Sequence, residues 1–339
     1  MLRKRLLLVF QREGKSAHLV IGMSVHEYCA VETGKMTKSY IQYIDTTGMY
    51  RPRECQSRLT RSLVQTYIMY CRQILRVQSV HLMASSKPSF LFAGSEFMAT
   101  KGKLSTAKLV KWWLSVVEDA HAKVESPVQI SLWSPGEDLV EDDRTKERVE
   151  RRGRQGNKNN SWSYGPFYKP GDKLVDVVPL FEDDPMLKHF QSFYEDCKMD
   201  KQKVEALKAK TFMETLGLRP EFRNQCHSTF FVVEYPDNKD KGLQNLTSKD
   251  AKPTQLASFA AKMLGNLTFE DEAKCLDASS KITSWLKFMG SKPVEITCDV
   301  PPSDNDVSKR KLEAPKDTEN ASPNNLQGLI KKRRIDQSE

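Results

Sequence analysis

At 339 residues with 39% hydrophobic and 9% aromatic content, the chain can bury one large core or two modest ones, and its net charge of +9 favours acidic partners. Its seven cysteines are odd in number, widely spaced and without a Cys-x-x-Cys pair, which excludes a disulfide framework or a zinc site and reads as reduced thiols inside a cell. The run Leu6–Phe10 is too short for a signal peptide core, and no run approaches membrane-spanning length.

In chain order, residues 5–44 alternate apolar and polar side chains in short runs such as Ala17–Ile21 and Tyr40–Ile44, which predicts strands. Residues 58–76 place Leu59, Leu63, Tyr67, Tyr70 and Ile74 on one helical face. Val77–Met83 and Ser89–Phe92 return to strand character. The clearest helix opens at Ser105 and repeats Leu109, Trp112, Trp113, Val116, Val117 and Ala120 at helical spacing. Adjacent tryptophans cannot share a direction, so one faces the core and the other its edge.

Residues 141–160 hold one apolar side chain in twenty positions, which predicts an exposed charged loop. Helices are expected over 185–197 and 200–216, a strand over Ser228–Glu234, and helices over 254–264 and 269–288. The last opens with Thr268 and Asp271 in capping-box spacing. Residues 300–325, rich in Pro, Ser, Asp and Asn, predict a disordered linker. The basic tail 326–339 carries Leu326, Leu329 and Ile330 beside Lys331-Lys332-Arg333-Arg334, which reads as a nuclear import signal, a docking strand or a solubilising tail.

The chain has no Gly-x-Gly-x-x-Gly, Walker, Gly-x-Ser-x-Gly or His-Glu-x-x-His sequence, and its six histidines are scattered. Any catalysis must draw on carboxylates, aromatics and a carried cosubstrate. The strongest local feature is Val177–Pro185, three acids closing an apolar run in a basic protein. Asp184 followed by Pro185 is also an ordinary helix start, with aspartate as N-cap and proline at the first helical position.

Taken together, several elements form a set: Ile44-Asp45-Thr46-Thr47-Gly48, Ser89 to Ser95, Leu109-Val110-Lys111-Trp112-Trp113, Trp162-Ser163-Tyr164-Gly165, Leu180-Phe181-Glu182-Asp183-Asp184-Pro185 and Glu221-Phe222-Arg223. In order and spacing they resemble the fungal histone H3 lysine acetyltransferases of the regulator-of-Ty-transposition type. These are similar in fold to the CREB-binding-protein-type acetyltransferases. The resemblance implies an α/β (α+β) domain over 1–299, with a central mixed β-sheet surrounded by helices and acetyl-CoA as cosubstrate, without a metal.

It further implies Asp184 as proton acceptor, with Asp183 beside it, Asp45 as another acid of the substrate site and Trp113 as an aromatic wall for the lysine stem. The bland readings are an N-cap for Asp184, an Asx-turn for Asp45 and core packing for Trp113. Along acetyl-CoA the resemblance places Ile44, Met83, Lys87, Phe90, Lys101, Gly102, Lys103, Leu104, Trp112 and Lys188, the lysines facing phosphates. Where the family carries an autoacetylated lysine, this chain has Met186. Implied partners are histone H3 with H4 and histone chaperones of the anti-silencing-function and nucleosome-assembly types. The implied setting is the nucleus, in chromatin assembly, replication and the DNA damage response, without a membrane or sequence-specific DNA contact. The competing reading is a non-catalytic basic nuclear protein that binds nucleic acid or chromatin.

Overall fold

The computed structural model of the protein describes residues 2–13, 16–30, 35–49, 55–85, 91–98, 106–122, 126–134, 146–147, 149–152, 160–177, 185–197, 202, 206–218, 228–238, 264–288 and 290. All of them fall in one compact unit, Met1–Ser291. Its strands are β1 (Leu2–Glu13), β2 (Ser16–Cys29), β3 (Met36–Thr46), β4 (Ser79–Ser85), β5 (Val128–Trp133), β6 (Asn160–Tyr164) and β7 (Ser228–Glu234). The principal helices are α1 (Cys55–Gln73), α2 (Thr106–His121), α3 (Pro185–Asp196), α4 (Ala209–Gly217) and α5 (Glu272–Phe288).

The seven strands make one sheet in the order β1-β2-β3-β4-β7-β5-β6. The β3–β4 and β5–β6 pairs are parallel and the others antiparallel, so the sheet is mixed, as the resemblance implied. Side chains alternate between its faces. Val80, Leu82 and Ala84 of β4 meet Val64 and Ile68 of α1 and Val110, Leu114 and Val117 of α2 in the main core. The intervening Met83 joins Phe230 of β7 in a second cluster with Phe212, Met213 and Leu216 of α4. A third cluster holds α5 against β2, through Leu19, Ile21, Cys275, Ala278 and Ile282.

Polar anchors tie these layers. Glu27, with no exposed surface, is paired with Arg3 and Arg5 and accepts a hydrogen bond from the Tyr67 hydroxyl at 3.3 Å. A buried carboxylate needs that company, since its desolvation costs several kcal/mol. The network locks the edge hairpin onto α1. At the far end of α1, Val77 N–H closes on the Cys71 carbonyl at 3.0 Å, with Arg76 in the left-handed region at φ 51°. The closure spans one residue more than a Schellman motif, and its left-handed turn falls on arginine where glycine is commonest.

Several expectations need correction. Segment 141–160 is not all exposed loop: residues 149–152 are helical, and its single apolar residue, Val149, is fully buried in the main core. Arg152 pairs with Glu118 of α2 at 2.9 Å and lies over the Trp162 ring, so two residues anchor a charged stretch whose Lys146, Glu147, Glu150 and Arg151 stay exposed. Leu91 and Phe92 are not strand; they begin a turn. The helix expected over 200–216 is interrupted: residues 202 and 206 are helical, but Lys208 bridges Lys173 and Leu174 N–H donates to the Leu207 carbonyl at 2.8 Å, which holds residues 207–208 out of the helix, and α4 starts at Ala209. Asp271, not Thr268, caps α5: its Oδ1 accepts from Lys274 N–H at 2.8 Å. The predicted helix 254–264, apart from Leu264, and the segments 300–325 and 326–339 lie outside the described residues.

Candidate active site

The parallel strands β3 and β4 run the same way, so Ile44-Asp45 and Met83 to Ser85 finish at one end of the sheet. β5 ends there too, with Trp133 opposite Phe230 at the start of β7, and Ser134 and Thr229 hydroxyls lie 2.9 Å apart. In parallel sheets such carboxyl ends are where loops gather and ligands bind.

The Ile44-Asp45-Thr46-Thr47-Gly48 element is rigid. Thr47 is fully buried and its hydroxyl donates to the Leu19 carbonyl at 2.7 Å, while its N–H donates to the Val20 carbonyl. Gly48 turns the chain at φ 80°, a conformation that glycine adopts without strain. Asp45 is buried; its Oδ1 accepts from Thr46 N–H at 2.7 Å and its Oδ2 from Phe92 N–H at 3.0 Å. The Thr46 contact is a local turn bond, but the Phe92 contact crosses to a segment 47 residues on.

The tryptophans divide as their adjacency requires. Trp113 is 6% exposed, inside the main core, with its ring centroid 6.5 Å from that of Phe231. Trp112 meets it edge-on at 5.0 Å and is half-buried at the core's margin. Ile44 is likewise half-buried, bridging the main core and the α5 cluster, whereas Met83 faces the α4 cluster across the sheet. Ile44, Trp112 and Trp113 therefore share a core and Met83 does not.

Pro185 opens α3, and His189 fastens this helix to α4 through Thr215 Oγ1 at 3.2 Å and the Phe212 ring at 5.1 Å. Asp183, Asp184, Lys87, Phe90, Lys101, Gly102, Lys103 and Leu104 lie outside the described residues, as does the side chain of Lys188 within α3. Missed in the sequence were Gly22 and Phe92 as neighbours of Asp45. No local pattern connects them, because the contacts join β2, β3 and the turn after β4.

Burial governs the histidines. His121 is held near 4 mainly by desolvation; its Nδ1 faces the Val117 carbonyl at 2.7 Å and its Nε2 the Tyr235 hydroxyl at 3.2 Å. His81 is lowered to about 3 by burial and then by Lys38, and its Nε2 lies 2.8 Å from Ser79 Oγ. Both are neutral structural groups at pH 7. Among the described residues no group of three or more His, Cys, Asp or Glu is placed to hold a metal, and no helix is long and apolar enough to cross a membrane.

The mixed seven-stranded sheet is flanked by helices, and α2, which carries Lys111-Trp112-Trp113, packs behind β4. The histone acetyltransferase KAT11-type domain matches residues 47–279, well over half of the chain, and the protein belongs to that family of acetyltransferases. It is 26% identical over 153 residues to histone acetyltransferase RTT109 of Candida albicans, a match covering 44% of this chain and 38% of that protein's length. The crystal structure of Rtt109 from Aspergillus fumigatus shares the fold, with a TM-score of 0.62 over 85% of this chain and 84% of that one, at 18% identity.

Proposed function

We propose that the protein moves an acetyl group from acetyl-CoA to lysine side chains of histone H3, presented with H4 on histone chaperones of the anti-silencing-function and nucleosome-assembly types. The KAT11-type match over residues 47–279 carries this reading. The setting is the nucleus, in chromatin assembly, replication and the DNA damage response, and Lys331 to Arg334 supply the import signal.

The chemistry follows from the lysine. Its ammonium, with an ordinary pKa near 10.4, costs about 4 to 5 kcal/mol to deprotonate at pH 7. A carboxylate at the site offsets this cost by receiving the proton as the amine attacks the thioester. Asp184 is assigned that role and Asp183 holds the incoming charge. As the C–N bond forms and the C–S bond breaks, the leaving thiolate takes the second proton of the amine and departs as the CoA thiol, and the proton held by Asp184 passes to solvent.

The half-buried apolar faces of Ile44 and Trp112 suit a pantetheine arm, and Met83, on the other face of the sheet, would reach it only around the strand end. With them, Phe90, Gly102 and Leu104 would line the cosubstrate, and Lys87, Lys101, Lys103 and Lys188 would meet its phosphates as point charges. Purified protein, acetyl-CoA and chaperone-bound H3–H4 are to be incubated and the histone lysines mapped by mass spectrometry. Acetylation of H3 above a heat-killed control is expected, and its absence sinks the reading.

A further inference from the structure

The contacts around Asp45 point to a role different from proton transfer. Gly22 of β2 pairs with Asp45 of β3 across the sheet. A Cβ on Gly22 would lie 2.6 Å from both Leu91 Cδ2 and Phe92 Cζ, so the missing side chain is the hollow in which these residues rest. Over the same hollow, Asp45 Oδ2 accepts the Phe92 N–H. The Phe92 ring is fully buried, 4.9 Å from the Phe269 ring, and Phe269 N–H donates to the Ala93 carbonyl at 2.8 Å. Ser95, with no exposed surface, continues the turn and donates its N–H to the Phe92 carbonyl at 3.1 Å. Gly94 turns at φ 81°, where a Cβ would strike the Glu270 side chain.

We infer that the Gly22–Asp45 pair is a seat that fixes the turn 91–98 between the sheet and the start of α5, and that Asp45 is a positioning residue for acetyl-CoA binding. This rests on the function proposed above, because the seated turn stands in sequence between Met83 to Phe90 and Lys101 to Leu104, the stretches assigned to the cosubstrate. An acid whose oxygens receive the backbone amides of Thr46 and Phe92 serves as an acceptor. Its charge strengthens those bonds, and its place in the fold sets where the turn lies.

The test combines steady-state acetyl transfer with hydrogen exchange on the full chain. Asp45→Asn keeps the shape but presents an amide where one backbone N–H needs an acceptor; one unmatched buried amide corresponds to a change of about fivefold or more. The KM for acetyl-CoA is expected to rise by that factor, with kcat within about threefold of wild type and the pH–rate profile unmoved. Gly22→Ala, which crowds Phe92 but leaves Asp45 intact, should raise the same KM. Exchange over residues 91–98 should quicken in both variants. The inference is overturned if Asp45→Asn loses kcat and shifts the pH profile as Asp184→Asn does while KM holds, or if exchange over 91–98 matches wild type. Wild-type protein without acetyl transfer would refute the proposed function, and the exchange measurement would still decide the seat.

Discussion

Trp113→Phe separates two jobs for one side chain. The resemblance makes Trp113 a wall for the substrate lysine, while its 6% exposure and its neighbour Phe231 make it core. The substitution removes part of the indole, about 40 Å² of apolar surface and about 40 Å³ of volume. At about 25 cal/mol per Å² and about 24 cal/mol per Å³, each contributes about 1 kcal/mol, so a loss of about 2 kcal/mol is expected. In a domain of this size that lowers Tm by about 5 °C. The half-buried Trp112, changed in the same way, should cost less than about 1 kcal/mol. Differential scanning calorimetry on both variants, with the histone KM measured alongside, gives the comparison. An unchanged Tm for Trp113→Phe together with a raised histone KM would refute the core assignment.

Other outcomes follow from single features. His81 and His121, lowered to about 3 and about 4 by burial, are neutral when folded and protonate more readily when unfolded. Their stabilising contribution is present above pH about 6.5 and is lost as pH falls toward 4, at up to about 1.4 kcal/mol per pH unit for each. Urea unfolding at pH 7.5, 6 and 5 should show the decline, and His121→Gln should reduce its slope. Arg76→Gly relieves a left-handed arginine and should stabilise the protein by about 1 kcal/mol in the same assay. Asp271→Ala removes the α5 cap at a cost of about 1 kcal/mol, whereas Asp271→Asn and Thr268→Ala should lie near wild type.

Much of the fold could be read where pattern and burial agree. Ser228–Glu234 has the limits that its apolar run predicts, since a central strand is covered on both faces. The helix expected from Ser105 appears as Thr106–His121 because its apolar stripe meets α1 and β4. Val128–Trp133 also alternates, with Val128, Ile130 and Leu132 buried, so the signal for β5 was present and went unread. Composition misled at Val149, where one apolar residue and the Arg152 contacts anchor a stretch that average polarity reads as loop. Phe92 misled in the opposite sense, since an apolar run that looks like strand fills a hollow beside Gly22. For the site, the sequence singled out Asp45 but could not disclose its partner, because the Phe92 amide reaches it only through the closure of the sheet.

Acetyl transfer to chaperone-bound H3–H4 by wild type and Asp184→Asn, at equal concentration and with melting curves recorded for both, bears most directly on the catalytic assignment. Asparagine caps a helix about as well as aspartate but cannot receive the lysine proton at neutral pH. With equal Tm values, wild type should form acetyl-lysine on H3, and Asp184→Asn should lose at least about a hundredfold in kcat. Equal turnover by the two proteins, or none by wild type, would contradict it.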